Sequence, residues 1–578
     1  MELRKDDYGM ELTAILHRPM SEYAFPLDSR HMVFRLRSKR EDLKEVTFWY
    51  ADRADMSSEL PFTPKEMPLV RRDMLYDWFE ITLETDWERI AYYFELNDGK
   101  EKIRFAGEVF EKENAHIERS EYFQYPYNHR ADIPQVPEWI RSAVVYNIFP
   151  DSFADSARHI SGEAHTAEYR GLRYESLNGG TIRGITENLD YLQELGFNCI
   201  YLNPVFTAGA YHKYDLLDYK HIDPCFGSDD EFREMVRQAH EHGIRVILDG
   251  VFNHVSQYHF SFQDVLKNGK GSDYYDWFYS LPDPVRVPKD DEMPGYTCFS
   301  YVANMPKTDT SCPALRDYFC DVGTYWIREF DTDGWRLDVA NEVNDDFLRC
   351  FRKSVRSAKP DAIIIGEVWE NAEHYMHGDM LDGAMNYDFR RFCTQFFAER
   401  ILTAEEFDLR LSSLMMRYSA KMLPAQLNLL DGHDTCRFLT SCGGDLSRME
   451  QAILFQMTFV GIPSVFYGDE KGMTGLTEPE YRAPMNWNDH SELENVYGKI
   501  ISLRREHPAL TGSSFKTVSA ADGLFEYERE DGNEVIRIAI NTGAEEKSVI
   551  PVGDILLQKG VECGLLKTGG YLVSRRVK

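Results

Sequence analysis

Three short stretches of this 578-residue chain, GWRLDVANE at 334–342, GEVW at 366–369 and LLDGHD at 429–434, each close an apolar run with an acidic residue. Three carboxylates, Asp338, Glu367 and Asp434, delivered to one pocket would be the equipment for cleaving a glycosidic bond. Cleavage with retained stereochemistry needs one carboxylate to attack the anomeric carbon and a second, protonated one to donate to the leaving oxygen, roughly 5–5.5 Å away. Arg336 stands two residues before Asp338, and side chains two apart on a strand share a face. Its guanidinium is therefore expected to hold Asp338 ionised. Glu367 follows the apolar run AIIIG, where neighbouring carboxylates and partial burial are expected to raise it into the range of a useful acid. Asp434 follows His433, and both can grip sugar hydroxyls as the ring flattens toward an oxocarbenium ion. Any one of these acids alone reads equally well as a strand-end residue in a surface ion pair. Three of them, each with a polar partner and a similar preceding run, argue for a site.

The elements that must position them follow from hydrophobic periodicity. From Val144 the chain alternates apolar strand and amphipathic helix. One unit is explicit: Ser228 can cap a helix whose Phe232, Met235, Val236 and Ala239 share a face, with Glu231 completing a capping box and Gly243 ending it. A second runs from Thr186 through Leu189, Leu192 and Leu195 to Gly196. The runs VVYNIF, NCIYL, RVILD, GWRLD, AIIIG, GAMNY, QLNLL and SVFYG give eight strands, and eight βα units imply an α/β chain closed as a (β/α)8 TIM barrel with its reactive groups at the C-terminal strand ends. Residues 1–125 read as a β-sandwich module: HMVFRLRSK at 31–39, EVTFWYAD at 45–52, and a hairpin of AYYFEL and KEKIRFAGEVF about a turn at 97–99. The barrel domain then covers 126–504. A subdomain at 255–310, too long for an ordinary loop, is inserted after barrel strand 3. A C-terminal β domain occupies 505–578, where LFEYERE and EVIRIAIN flank a DGN turn.

Composition narrows the partners. A formal charge of −31 disfavours nucleic acid and anionic membranes, which reward excess Lys and Arg. The N-terminus lacks a basic start and apolar core of the signal-peptide kind, and no apolar run approaches the roughly 18 residues of a membrane helix, so a cytoplasmic location is expected. Ten cysteines without C-x-x-C or zinc-type spacing read as reduced, mostly buried thiols.

In chain order, YLNPVF at 201–206, DGVFNH at 249–254, MPK at 305–307, GWRLDVANE, GEVW and LLDGHD resemble the signature stretches of the α-amylase superfamily of glycoside hydrolases, and within it the neopullulanase, cyclomaltodextrinase and maltogenic amylase group. The resemblance implies that Asp338 is the nucleophile, Glu367 the acid/base and Asp434 the transition-state stabiliser. It places Asp249, His254, Arg336 and His433 around the sugar at the cleavage point, with Tyr214 stacking on it, His212 nearby and Arg482 gripping the same end. Trp369 is similar to an aromatic platform on the leaving-group side. The plain alternatives are a structural hydrogen bond for His254 and packing for Trp369 and Tyr214. The implied activity is double-displacement hydrolysis of α-1,4 bonds, extending to α-1,6, in cyclodextrins, pullulan or maltooligosaccharides, with transglycosylation as a side path. A homodimer formed through the N-terminal module is implied as well. A sucrose-active transferase or isomerase of the same superfamily, or a glucan-binding descendant without activity, remain as alternatives.

The chain also departs from the group. FPDSFADSARHISG is poor in the acids of a calcium-binding segment, and Thr181 in GGTIRG stands where an acidic ligand is expected, so calcium is doubtful and no cofactor is required. Glu370 replaces a common histidine, and MPKTDT a more usual Leu-Asn after Lys307.

Overall fold

The computed structural model describes residues 9–107, 109–112, 115–169, 172–289 and 292–578. Eight parallel strands carry the site: β1 (Val145–Ile148), β2 (Cys199–Leu202), β3 (Arg245–Gly250), β4 (Gly334–Leu337), β5 (Ile363–Gly366), β6 (Gly383–Ala384), β7 (Leu427–Leu429) and β8 (Ile462–Phe466). Their order in the sheet is β6-β5-β4-β3-β2-β1-β8-β7. The two outer strands meet through a parallel bridge between Met385 and Leu427, with the Asn386 amide donating to the Leu427 carbonyl at 2.8 Å. The barrel is closed. Strands buried on both faces must be continuously apolar, and β4, β5, β7 and β8 are buried at every residue. Val145, Tyr201, Ile247, Ile365, Leu429 and Ile462 belong to one cluster that fills the interior.

The helix Asp229–Glu241 follows the expectation in detail. Ser228 accepts from the Glu231 amide, the reciprocal Glu231 bond completes the box, and Phe232, Met235, Val236 and Ala239 are the buried face. In the second unit, Gly196 takes the left-handed conformation that ends Leu189–Leu195. Thr181 serves as the N-cap of Ile182–Thr186, its hydroxyl accepting from the Gly184 amide at 2.9 Å. Between β3 and the helix Pro313–Phe330 lies the inserted subdomain, built on the helix Phe260–Asn268 and short 3-10 turns.

Contacts divide the chain into two units, Met1–Gln135 with Leu402–Leu423, and Val136–Ile401 with Pro424–Lys578. In the first, an N-terminal β-sandwich packs one sheet containing His31–Lys39 and Tyr76–Glu84 against another containing Glu45–Asp52 and Ile90–Asn97. Phe34, Phe48, Tyr92 and Phe94 form its core. The stretch expected as a single hairpin arm, KEKIRFAGEVF, is two antiparallel strands, Lys102–Ala106 and Val109–Lys112, because the chain reverses after Ala106 at Gly107, whose φ is +55°. In the second unit, the C-terminal sheet contains the hairpin Leu524–Glu530 with Glu534–Asn541, and its long strand Leu565–Val577 pairs with the latter. All ten cysteines are free thiols, but only Cys199, Cys225, Cys393 and Cys442 are fully buried and Cys563 is exposed. The expectation of mostly buried thiols is corrected accordingly: half of them sit on partly covered helix and loop positions.

The barrel seam has no room for a side chain at Gly383, where a Cβ would meet the Ala425 carbonyl oxygen at 1.9 Å. Forcing backbone apart costs typically about 1–3 kcal/mol or more. Gly383→Ala is expected to lower the thermal midpoint by several degrees, and a midpoint equal to the parent's would show that the seam yields freely.

Candidate active site

The register of three neighbouring strands builds the site. Asp249 on β3 lies opposite Arg336 on β4, and Leu337 lies opposite Gly366 on β5. The ladder runs one residue further, with the Asp338 amide donating to Gly250 at 3.0 Å and the Glu367 amide to Leu337 at 2.8 Å. Asp338 and Glu367 therefore stand side by side on one face. Arg336 is buried between them: Nη1 donates to Asp249 Oδ1 at 2.8 Å and to Asp338 Oδ1 at 2.9 Å, while Nη2 lies 2.8 Å from Glu367 Oε2. One cation thus serves three carboxylates. Asp249 also accepts from the hydroxyls of Tyr201, at 2.6 Å, and Tyr214, at 2.9 Å.

This sharing weakens the hold that Arg336 was expected to have on Asp338. Burial and the adjacent Glu367 carboxylate push the Asp338 carboxyl up, and Arg336 only partly opposes them because its charge is spread over Asp249 and Glu367 as well. Asp434 differs. Burial works to raise it, but His433, Arg336 and Arg482 more than offset that and hold it well below the usual aspartate range. His433 Nε2 is 2.8 Å from Asp434 Oδ2, and Arg482 Nη2 donates to Asp434 Oδ1 at 3.2 Å.

The groups surround a cavity of about 520 Å³ lined by Asp338, Glu367, Asp434, His212, Tyr214, His254, Trp369 and Arg482 among others. Asp249, Arg336 and His433 are outside that lining, each about 1 % exposed. Each is tied to neighbours, His433 to Asn203 at 3.0 Å, to Tyr214 at 2.6 Å and to Asp434. Burial lowers His254 to about 3 and His212 to about 4, so both imidazoles are neutral at pH 7. His254 Nε2 is 3.1 Å from the Tyr214 carbonyl and its ring stacks on Phe299 at 5.0 Å. Trp369 stacks on Tyr387 at 3.8 Å and gives its indole N–H to Glu367 Oε1 at 2.9 Å, yet remains 48 % exposed, so it packs and still presents surface to the cavity.

Comparison with known proteins agrees with this geometry. Residues 147–507 match the alpha amylase catalytic domain and residues 10–129 the alpha amylase N-terminal ig-like domain. The chain is 39% identical over 541 residues to a cyclomaltodextrinase of Thermoanaerobacter pseudethanolicus, covering 93% of each. It belongs to the alpha-amylase family of glycoside hydrolases. It is 37% identical over 511 residues to an intracellular maltogenic amylase of Bacillus subtilis, covering 87% of this chain and 85% of that one. A solved cyclomaltodextrinase superposes with a TM-score of 0.87 at 34% identity over 98% of both chains.

Within this alpha-amylase site several residues escaped the motif reading. Tyr201 on β2 and Asn203 just after it both fall in YLNPVF, and their spacing of two was the signal that they share the interior face. Glu478 accepts from Arg482 Nη1 at 2.7 Å and from Tyr211 at 2.6 Å, a partner visible as an i,i+4 acid–base spacing. Val339 carried no signal: it takes φ +45°, rare for a β-branched residue, and so turns its amide onto Glu367 Oε2 at 3.0 Å. Asn341 ties to Glu370 at 2.7 Å, and Lys307 to Glu342 at 3.0 Å, on the Trp369 side.

The segment FPDSFADSARHISG has other uses for its oxygens. Asp151 accepts from the amides of Leu177 and Asn178 at 3.0 and 3.1 Å, and Asp155 from Ser161 at 2.9 Å. Acceptors committed to N–H donors do not fit a cation that wants six to eight free oxygens. Among the described residues no group of three or more His, Cys, Asp or Glu is arranged to hold a metal ion.

Because its folded-state pKa is raised, ionised Asp338 opposes folding at neutral pH, and the penalty fades as pH falls through the folded pKa toward the ordinary 3.8. Asp338→Asn is expected to raise the thermal midpoint at pH 7, with a smaller gain at pH 5. A lower midpoint at pH 7 would mean that the attraction of Arg336 outweighs burial.

Proposed function

We propose that this glycoside hydrolase cleaves the α-1,4 bonds of short or cyclic α-glucans by double displacement, with Asp338 as nucleophile, Glu367 as acid/base and Asp434 as stabiliser of the oxocarbenium-like transition state. The observation that carries the reading is the pair of carboxylates held on the two terminal nitrogens of one buried guanidinium. Such closeness suits retention, which needs roughly 5–5.5 Å, better than inversion, which needs about 6.5–9.5 Å to seat a water.

In the productive form Glu367 carries a proton and Asp338 is ionised. Asp338 attacks the anomeric carbon while Glu367 gives its proton to the departing oxygen. Glu367, now a base, then takes a proton from water, whose hydroxyl displaces Asp338 and frees the sugar. Asp434, kept ionised by His433 and Arg482, sets a fixed negative charge where positive charge develops. The cavity volume lies within the range of about 300–1,000 Å³ typical of small-ligand sites, and the relatives' names point to cyclodextrins and maltooligosaccharides. Tyr214 and Trp369 are the proposed stacking surfaces, and His212, His254 and Arg482 the groups that meet hydroxyls. Asp249 and His433 act from behind the wall.

Two further readings accompany this one. Among the described residues no helix is long and apolar enough to cross a membrane, and a relative named as intracellular supports a cytoplasmic setting. A homodimer through the N-terminal module is supported by Leu69, Val70, Met74 and Leu75, all exposed, the last at 65 %. Val70→Lys with Leu75→Lys should shift a dimer to monomer in gel filtration; an unchanged elution volume removes this face from the dimer proposal.

The chemistry is tested on β-cyclodextrin, maltotriose, pullulan and sucrose side by side. Asp338→Asn is expected to lose a factor on the order of 10⁴ or more in kcat. Freshly released sugar should be the α-anomer by NMR, and a β-anomer would exclude the double displacement.

A further inference from the structure

Between the short antiparallel strands Phe206–Ala208 and Leu216–Ile222 the chain makes a loop, 209–215, whose tip carries His212 and Tyr214 into the cavity wall. The residue between them points the other way. Lys213 is 1 % exposed, and its Nζ lies 2.8 Å from Asp223 Oδ2, itself fully buried. Asp223 is fixed in turn, accepting from the Ala208 amide at 3.1 Å and the Cys225 amide at 2.9 Å. The Phe226 ring lies 5.2 Å from the ammonium. Lys213 also takes φ +63°, a left-handed conformation that an L residue adopts only when its surroundings impose it.

A buried ion pair is a weak source of stability, since removing two charges from water consumes most of what their attraction returns. A lysine held in a left-handed backbone adds a cost of its own. What the arrangement delivers is orientation. The reversal at 213 lets the Tyr214 amide donate to His212 Nδ1 at 3.1 Å. It also brings the Tyr214 hydroxyl to Asp249, and its ring parallel to that of His433 at 5.6 Å and 7°. In the same loop the Asp215 carboxyl accepts from the Ala210 amide at 2.8 Å, and burial raises it to about 6 against the opposing pull of that bond and of the Lys213 ammonium.

We propose that Lys213 is a positioning residue for the reaction: anchored on Asp223, it holds the loop so that Tyr214 and His212 face the sugar. It touches no reacting atom and acts through its two neighbours. The inference rests on the reading of the cavity as an α-glucan hydrolysing site.

The test uses the full chain and four variants: Lys213→Met, Lys213→Met with Asp223→Asn, Tyr214→Phe, and all three changes together. Each is assayed for kcat and KM on β-cyclodextrin and maltotriose and for its thermal midpoint. Lys213→Met strands a buried carboxylate, so both midpoint and activity should fall. The neutral pair should recover the midpoint and leave kcat down about 100-fold, the scale of a small misplacement, with KM changed less than about threefold. Adding Tyr214→Phe to the neutral pair should then cost only a fraction of what it costs in the parent chain. A neutral pair with parental kcat, or a Tyr214→Phe effect undiminished on that background, overturns the proposal, because charge balance alone would then be the role. If neither Lys213→Met form folds, Lys213→Arg is read instead: lowered kcat at an unchanged midpoint supports the proposal, and parental kcat ends it. A parent chain that turns over neither sugar would fault the functional reading, whereas a failure confined to the variants faults this inference.

Discussion

Arg336 is the interaction on which the site depends. Its guanidinium, buried inside the barrel, is the cation to which Asp249, Asp338 and Glu367 all turn. Burial would lower it, but the carboxylates around it hold it firmly protonated. Leaving a buried charge without its partner costs about 3–5 kcal/mol, so removing Arg336 would strand three at once. With it, the two carboxylates nearest the cavity share one positive charge, Asp338 on Nη1 and Glu367 on Nη2.

The third carboxylate shows why position, more than residue type, assigns chemistry. Asp434 and Asp338 are both aspartates at the mouth of the same barrel, Asp338 buried and Asp434 with its side chain 31 % exposed. One is driven up by burial and a neighbouring acid, the other is driven down by His433 and two arginines. Groups of one kind with pKa values pushed apart are a sign of divided roles. Arg482 enforces the division while its Nη1 is tied to Tyr211 and Glu478, so the charge at this end rests on a hydrogen-bonded frame.

Local strain is spent at the same place. Val339 follows Asp338 and Lys213 precedes Tyr214, and both are non-glycine residues with positive φ. Each reverses the chain so that a neighbouring group meets the cavity: the Val339 amide at Glu367, the Tyr214 hydroxyl at Asp249 and His433. Neither was visible in the sequence, because nothing in a valine or a lysine announces a left-handed backbone. The barrel strands were legible, since RVILD, AIIIG and their fellows are apolar runs of strand length bounded by helices. So was the helix after Ser228, whose cap, box and buried face are written at fixed spacings.

The sequence by itself determined the eight-stranded barrel and its flanking β modules, and it singled out three acids that line one cavity, because periodicity and short motifs are local properties. Only the tertiary structure decided how charge is divided among those acids. Asp249, Arg336 and Glu367 are far apart in the chain, and it is strand register that places one guanidinium among three carboxylates and buries His433 behind the wall. Burial and shared partners set ionisation, and neither exists until β3, β4 and β5 lie side by side.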